Sequence, residues 1–274
     1  MPSTPHPTDR FTRLFDGRKP LIGNIHLDPL PGAPGYRGED VEAIYAKGVR
    51  DALSLVDGGI DAIVVENAGD LPYVRPEKIG PETVAALTAA TLRVVEAVPV
   101  PVGITCVANG VIPGVAVAKA TGASFVRANI WVTSYVANEG LLDGVAAEAV
   151  RYAHTIGAAD LVFLADVKVK FGAHALTADR GIEELARDAQ MYCADAVIVS
   201  GLRTGHATSV EDVLAVKGAT DLPVLVGSGL TADNGRPLLE AADGAIVGAG
   251  LKHDGLWWNP VDPARTRELV KAVR

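Results

Sequence analysis

Short apolar runs recur along the whole chain, and this repetition constrains the fold more than any other feature of the sequence. Each run is rich in β-branched residues and is followed by polar or glycine-containing residues and then by an alanine-rich stretch. The runs are Leu21–Leu27, Ile60–Glu66, Val102–Val107, Ala123–Asn129, Leu161–Val167, Ala194–Ser200, Leu222–Ser228 and Gly244–Gly250. Continuous apolar runs, without polar alternation, are typical of parallel strands that are covered on both faces.

The stretches between these runs have helical patterns and complete a βα repeat. They are Val41–Val56, Pro81–Ala97, Pro113–Thr121, Asp143–Ile156, Gly181–Tyr192, Val210–Lys217, Ala232–Glu240 and Asp262–Val273. Eight βα units predict an α/β fold of the (β/α)8 TIM-barrel type. A doubly wound sheet is the alternative, but the GxGxxG fingerprint of that fold is missing after the first strand. We expect one barrel domain over residues 20–274, after an N-terminal extension over residues 1–19.

Composition argues against several classes of protein. Of the 274 residues, 49% are hydrophobic and 21% are charged, which argues against intrinsic disorder. The net charge of −8 is opposite to that of a surface that binds nucleic acid. The two cysteines are far apart and form no CxxC pair, which argues against a disulfide scaffold and a zinc site. The polar N-terminus and the absence of a long apolar run predict a cytoplasmic protein without integral membrane association.

The carboxyl ends of the predicted strands carry most of the chemistry-bearing side chains. In a barrel these ends share one face, where TIM-barrel enzymes place their active sites. The residues at these positions are His26, Asp28, Glu66, Asn67, Asp70, Thr105, Asn109, Arg127, Asn129, Asp166, Lys168, Lys170, Ser200, Thr204, Ser228, Lys252 and His253. The sequence therefore predicts a ring of polar and ionisable groups around one mouth of an otherwise apolar barrel.

Three strands supply the candidate catalytic residues. Asp166, Lys168 and Lys170 are spaced by two, so an extended strand would point all three toward the open rim. Such residues fit proton transfer, a Schiff base on a buried lysine, or a structural ion pair. Glu66 together with Asp166 fits a general acid and base, or ligands to Mg²⁺ beside a substrate phosphate. His26 fits an acid–base group or a hydrogen-bonded structural residue.

Glycine-containing loops after the last three strands fit a phosphate site. In TIM barrels such loops often bind phosphate through backbone N–H groups, and glycine lets the anion approach closely. The candidate substrate- and phosphate-binding residues are Gly201, Thr204, Gly205, Gly227, Ser228, Gly229, Gly248 and Gly250, together with Asn67, Arg127 and Asn129. The glycines alternatively only turn the chain, and Arg203 fits a phosphate ligand or a solvated loop residue equally. Of the tryptophans, we expect Trp131 in the pocket.

Several motifs resemble those of the BtpA/SgcQ family. The stretch from Gly23 to Pro34 resembles the HLxPLPGxP signature, and Glu66–Pro72 resembles ENxxDxP. The match continues in order through Ser200-Gly201, Thr204-Gly205, Gly227–Gly229, Asp243-Gly244 and Ile246–Gly248. The resemblance extends from about Pro20 to the end of the chain and implies a TIM barrel. It also implies either of two roles, because one cyanobacterial branch is associated with photosystem I biogenesis while other members occur in sugar or nucleoside settings.

The chain departs from the family's pattern on the predicted active face. Thr105 and Gly110 stand where the family has Asn and Asp, and Phe171 stands where it has a histidine. Asn138–Gly140 stands in place of the family's DQG stretch. These departures lead us to expect a substrate or a chemistry that differs from that of other members.

Together these observations favour an enzyme that acts on a phosphorylated sugar or a nucleoside-derived metabolite, and that self-associates into a homo-oligomer. Isomerisation, bond cleavage and group transfer remain open, as do the substrate and a requirement for metal; no motif indicates a nucleotide cofactor. The alternatives are a non-catalytic assembly or stability factor of the photosystem I biogenesis type and a sugar- or nucleotide-binding regulator. The assembly role has no polybasic membrane patch to support it.

Overall fold

A closed barrel of eight parallel strands dominates the computed structural model, which describes residues 7–201 and 206–274. The barrel strands are β1 (Leu21–His26), β2 (Ala62–Glu66), β3 (Val102–Thr105), β4 (Phe125–Ala128), β7 (Val162–Val167), β8 (Ala196–Val199), β9 (Val224–Val226) and β10 (Gly244–Val247). A separate antiparallel hairpin consists of β5 (Ser134–Ala137) and β6 (Gly140–Asp143). Around the barrel, β10 pairs back with β1, which closes the sheet. Each predicted run contains one barrel strand, so the TIM-barrel prediction is confirmed.

One helix precedes the first barrel strand, another follows the last, and the rest occupy the crossovers between barrel strands. They are α1 (Pro7–Leu14), α2 (Val41–Asp57), α3 (Pro81–Ala97), α4 (Val111–Thr121), α5 (Ala146–Thr155), α6 (Ile182–Met191), α7 (Val210–Lys217), α8 (Gly235–Ala241) and α9 (Pro263–Val273). Sequence-encoded caps fix where several of them begin. Asp262, for example, caps α9 by accepting a hydrogen bond from the backbone N–H of Ala264 at 2.8 Å. None of the helices in the described residues is long and apolar enough to cross a membrane.

The N-terminal extension contributes to the barrel core. Phe11 of α1 and Phe15, directly after the helix, are buried in one cluster with residues of the barrel interior, and the rings of Phe15 and Phe125 have centroids 6.3 Å apart. An ion pair also holds this helix, since Nε of Arg10 lies 2.7 Å from Oδ1 of the buried Asp195. Helix α1 therefore packs onto the interior cluster, a role that the sequence pattern did not predict.

The barrel interior changes from apolar to polar along the strands. The interior cluster includes Ile22, Val64, Phe125, Leu164, Ile198, Leu225 and Ile246. Because alternate residues of a strand share a face, the residue two positions further on also points inward. Within the strands, those next residues are Asn24, Glu66, Arg127 and Asp166, and the corresponding positions directly after β8, β9 and β10 are Ser200, Gly227 and Gly248. The strand periodicity thus places a polar layer directly above an apolar one, at the carboxyl ends of the strands.

The β5–β6 hairpin rises beside this polar layer. Tyr135 is paired with Leu142, and the next pair along is Val136 with Leu141. Both members of the first pair are buried, whereas both members of the second pair are exposed. The hairpin has apolar residues on both faces and lacks the polar–apolar alternation of a half-buried strand, so sequence periodicity gave no signal for it.

Candidate active site

A cavity of about 340 Å³ opens at the carboxyl ends of the barrel strands; we call it the rim cavity. Its floor carries the polar side chains His26, Glu66, Arg127, Asn129 and Lys170. Its walls are largely aromatic and apolar and include Leu71, Tyr73, Tyr135, Leu142, Phe171 and Trp257. Five predicted site residues therefore meet in one cavity, which is the arrangement that small-molecule sites commonly have.

Arg127 and Asp166 form a buried bidentate ion pair beneath the cavity. Nε and Nη2 of Arg127 donate to the two carboxylate oxygens at 2.9 and 3.0 Å, and the two side chains are 2% and 0% exposed. Ser200 donates to the same carboxylate at 3.1 Å, and Asn129 does so at 3.4 Å. Burial opposes the charge of Arg127, but Asp166 outweighs it and raises the pKa of the guanidinium. Because its oxygens are occupied, Asp166 is suited to orienting Arg127 and poorly suited to carrying a proton.

Glu66 ends β2 with its carboxylate on the cavity floor. Its Oε2 accepts a hydrogen bond from Nδ2 of Asn24 at 2.9 Å. Burial alone would raise the pKa of Glu66, but the charges of His26, Arg127 and Lys170 and the Asn24 hydrogen bond give a net lowering. Glu66 is therefore ionised at neutral pH.

His26 ends β1 next to Glu66 in the sheet register. Burial lowers its pKa to about 4, Glu66 opposes this shift, and Lys252 and Lys170 add to it. Its Nδ1 lies 2.7 Å from the carbonyl oxygen of Trp257. A carbonyl only accepts hydrogen bonds, so in the neutral ring Nδ1 carries the hydrogen and Nε2 is left as an acceptor.

The two lysines after β7 have different environments. The strand ends at Val167, and Lys168 has a φ of +53° and is exposed outside the cavity lining. The expectation that Asp166, Lys168 and Lys170 point the same way is therefore wrong for Lys168, because the extended alternation stops before it. Lys170 does line the cavity. Burial lowers its pKa, Arg127 lowers it further, and Glu66 and Asp166 act in the opposite direction without reversing the shift.

The glycine-containing loops after β8, β9 and β10 pack closely against one another. The Oγ of Ser228 accepts from the backbone N–H of Gly201 at 2.8 Å and donates to the carbonyl oxygen of His206 at 3.0 Å. Gly229 has a φ of +69°, and a Cβ there would lie 2.4 Å from the Cα of Ala207. Gly227 and Gly250 are also enclosed. A Cβ on Gly227 would lie 2.4 Å from the Ile198 side chain, and a Cβ on Gly250 would lie 2.9 Å from the carbonyl oxygen of Leu230. These glycines have a packing role whether or not they also bind an anion.

Gly248 connects these loops to the cavity floor. A Cβ on Gly248 would lie 3.0 Å from Cε1 of His26, so glycine leaves room for the imidazole. Neither Gly248 nor any other glycine of these loops is among the described residues that line the rim cavity. Arg203, Thr204 and Gly205 lie outside the described residues. A phosphate site in these loops therefore stays a prediction.

Other predicted rim residues hold loops together. Asn67 is buried, where its Oδ1 accepts from the backbone N–H of Val107 at 2.8 Å and its Nδ2 donates to Asp70 at 2.8 Å. Lys252 is fully buried beside Asp51, with its Nζ 3.4 Å from a carboxylate oxygen. Neither Asn67 nor Lys252 belongs to the cavity lining.

Trp257, and not Trp131, lines the rim cavity. Trp131 is 1% exposed, packs on Phe163 and donates its indole N–H to the carbonyl oxygen of Tyr192 at 3.0 Å. Trp257 lines the rim cavity and meets the ring of His26 edge-on at 5.6 Å between centroids. The expectation of Trp131 in the pocket is therefore wrong.

Sequence reasoning missed two aromatic wall residues. Tyr135 reaches the cavity from the unpredicted hairpin, and Tyr73 reaches it from the loop that follows β2. Glu139 and Phe171 also line the cavity, in agreement with their placement on the active face by comparison with the family's pattern. The one available signal for Tyr73 was that it directly follows the ENxxDxP stretch. Within residues 7–201 and 206–274, no group of three or more His, Cys, Asp or Glu side chains is placed to hold a metal ion.

Comparison with known proteins assigns the family. The sequence pattern that defines the BtpA family matches residues 17–274. This chain belongs to the BtpA family. The match includes all eight barrel strands, so the family resemblance that the motifs suggested is confirmed.

Relatives of this BtpA-family chain occur in all three domains of life. It is 38% identical to an uncharacterized protein of Archaeoglobus fulgidus, over 93% of this chain and 99% of the relative. It is 37% identical to an uncharacterized mitochondrial protein of Caenorhabditis elegans, over 96% of each chain. It is 34% identical to the photosystem I biogenesis protein BtpA of Synechocystis, over 95% of this chain and 90% of the relative.

Solved structures of TIM-barrel enzymes share its architecture. A chain of tryptophan synthase from M. tuberculosis matches with a TM-score of 0.61 and 22% identity, over 97% of this chain and 99% of that chain. Thiamine phosphate pyrophosphorylase from Pyrococcus furiosus matches with a TM-score of 0.54 and 20% identity, over 95% and 97% of the two chains. At these identities the similarity establishes the fold and leaves the chemistry to the site itself.

Proposed function

We propose that this BtpA-family protein is an enzyme that acts on a phosphorylated sugar or a nucleoside-derived metabolite through acid–base chemistry in the rim cavity. The observation that carries the proposal is that Glu66, His26 and Lys170 share one cavity floor, with Arg127 fixed beside them. Active sites are where titratable groups with shifted pKa values gather in concave, partly apolar pockets. A cavity of about 340 Å³ has the size for such a metabolite.

Each floor residue has a role that follows from its charge. The ionised carboxylate of Glu66 and the neutral Nε2 of His26 accept hydrogen bonds from substrate hydroxyl groups. Arg127, held in place by Asp166, stabilises negative charge that develops on a substrate oxygen. The pKa of Lys170 is lowered from the alkaline value of an ordinary lysine. Lys170 therefore takes up a proton from the substrate and returns it.

The substrate phosphate would bind beside this floor, at the loops after β9 and β10. Gly248 supports this placement because it directly adjoins the His26 ring. Gly227, Ser228, Gly229 and Gly250 continue the rim on the same side, where backbone N–H groups suit an anion. Gly201, Thr204 and Gly205, as predicted from the sequence, would complete the phosphate site.

An assembly role is the second candidate, as the name of the Synechocystis relative suggests. Exposed apolar side chains near the cavity favour it, among them Leu71, Val136, Leu141 and Phe171. Such a surface suits a protein partner or a second copy of the chain. The enzymatic proposal includes a cytoplasmic location and a homo-oligomer, and both stay predictions.

Ligand-dependent melting tests the enzymatic proposal. Sugar phosphates and nucleoside monophosphates at millimolar concentration are expected to raise the Tm, while the same sugars and nucleosides without phosphate are not. Glu66→Gln should abolish function in a deletion strain, whereas the control Glu268→Gln, on the exposed face of α9, should retain it. A protein that responds to no phosphorylated ligand, and whose Glu66→Gln variant complements fully, would support the assembly role instead.

A further inference from the structure

The amino group of Lys170 differs from the other enclosed cations near this rim. Arg127, Lys47 and Lys252 each form an ion pair with an aspartate. In the part of the chain that the structure describes, Lys170 forms neither a hydrogen bond nor an ion pair, although it lines the rim cavity. Its amine is therefore available to whatever enters the cavity.

The surroundings of Lys170 favour an uncharged amine. Burial and the neighbouring guanidinium of Arg127 both lower its pKa, so a larger share of the amine is unprotonated at neutral pH than in a surface lysine. Val169 and Tyr135, both buried, and the partly enclosed Tyr73 provide apolar walls that limit the access of water. An amine activated in this way is the nucleophile that attacks carbonyl groups.

We propose that Lys170 forms an imine with an aldehyde or ketone group of the substrate, which would make that substrate an open-chain sugar phosphate or a related carbonyl compound. This inference rests on the proposed function and specifies its reacting group. In the step, the Nζ lone pair attacks the carbonyl carbon and a C–N bond forms. The carbonyl oxygen then takes up the two amine hydrogens and leaves as water, which gives the C=N bond without an oxidant or a reductant.

Glu66 is placed to assist this exchange. Its carboxylate and the Lys170 amine line the same cavity, and their charges shift each other's pKa. In the proposed step, Glu66 carries hydrogens from nitrogen to the departing oxygen of a substrate held between the two side chains. Once the imine is protonated, the same carboxylate stabilises its positive charge. Arg127 stabilises the negative charge on the oxygen during the attack.

The opposing possibility is that Lys170 stays protonated and only binds a substrate anion. The two roles separate experimentally because only an unprotonated amine reacts with a carbonyl compound. Formaldehyde is a suitable probe, since it is small enough to enter the cavity and needs no substrate recognition. Lys168 is the matched control, because it lies two residues away and is exposed outside the cavity.

The test treats the full-length wild-type protein with a limiting amount of formaldehyde and sodium cyanoborohydride at neutral pH. Tandem mass spectrometry then compares methylation of Lys170 and Lys168 over time. We expect a several-fold preference for Lys170, and a preference that falls as the pH is raised and the exposed lysines lose their protons. Equal or slower methylation of Lys170 overturns the proposal.

A conservative variant separates this inference from the proposed function. Lys170→Arg keeps a cation but can neither form an imine nor carry a proton at neutral pH, so it should retain the Tm increase with sugar phosphates and lose complementation. Because a proton carrier would give the same loss, the wild type is also treated with cyanoborohydride and the sugar phosphate that raises its Tm most, and a reduced covalent adduct on Lys170 is expected. If the Tm rises but no adduct forms on Lys170, the imine proposal fails while the enzymatic proposal stands. If the wild type shows no Tm increase with any phosphorylated ligand, the proposed function itself fails.

Discussion

Removing the carboxylate of Asp166 should destabilise the protein strongly, because it leaves the Arg127 guanidinium buried without a counter-charge. The pair has two hydrogen bonds of 2.9 and 3.0 Å, and both side chains are at most 2% exposed. Removing one partner of such a buried pair costs about 3–5 kcal/mol. Asp166→Ala also deprives Ser200 and Asn129 of an acceptor, which places the expected loss at the upper end of that range.

Urea denaturation followed by circular dichroism measures this loss as a change in the free energy of unfolding. The matched control is Asp57→Ala, which removes the exposed partner of Arg267, and it should cost at most about 1 kcal/mol. A double replacement, Asp166→Leu with Arg127→Met, removes both charges and should recover most of the stability, because an apolar pair of similar volume is often neutral or stabilising.

If Asp166→Ala lowers the free energy of unfolding by less than about 1 kcal/mol, the prediction is wrong, because water or another anion then reaches Arg127. The double variant adds a second check. If it were less stable than Asp166→Ala, the pair would contribute more through packing than through charge.

Three further predictions follow from the same structure. The imidazole of His26 should show no NMR titration above about pH 5, because burial lowers its pKa to about 4. Between pH 6.5 and 4 the imidazole is therefore protonated in the unfolded chain but not in the folded protein, so the free energy of unfolding should decrease as the pH falls through this range. A titration of the folded protein near pH 6.5 would contradict this. Phe11→Ala should lower the free energy of unfolding by about 3–5 kcal/mol, measured by urea denaturation, because Phe11 is buried against the barrel interior. Phe171 is 54% exposed, so Phe171→Ala should change the free energy of unfolding by about 0.5 kcal/mol or less. Ser228→Ala should cost about 1–3 kcal/mol because it leaves the Gly201 N–H without its acceptor, and an unchanged urea midpoint would show that water replaces the hydroxyl.

The barrel could be predicted from the sequence because its strands are buried on both faces. Each strand then reads as a continuous apolar run, and the polar residue that follows marks its carboxyl end. The same period of two explains why Glu66, Arg127 and Asp166 share one interior layer, since each lies two residues beyond an apolar interior residue. The strand residues of the floor, Glu66 and Arg127 among them, were therefore readable from periodicity, whereas Asn129 and Lys170 lie beyond the ends of β4 and β7.

The walls of the site could not be predicted in the same way. They come from loops and from the β5–β6 hairpin, whose short strands have apolar residues on both faces and so no readable period. Lys168 was misplaced because strand alternation cannot be extended past the last strand residue, Val167. Trp131 was predicted in the pocket wrongly, because a position close behind a strand does not reveal whether the side chain points into the core.

The glycine loops show a further limit of sequence reasoning. A glycine that allows an anion to approach and a glycine that allows another loop to approach look the same in a sequence. Gly229 is explained by the close approach of Ala207 and by its positive φ, without any ligand. Only tertiary contacts separate the two explanations, and here the packing explanation accounts for Gly227, Gly229 and Gly250 even before a phosphate is considered.

The most direct test is a crystal structure of the protein with the phosphorylated sugar that raises its Tm most. We expect the sugar on the floor of the rim cavity, with Lys170 and Glu66 in contact with its reacting carbon and oxygen. We expect the phosphate at the backbone of the loops around Gly227–Gly229 and Gly248–Gly250. A sugar phosphate bound elsewhere on the molecule, with the rim cavity unoccupied, would contradict the claim that this cavity is an active site.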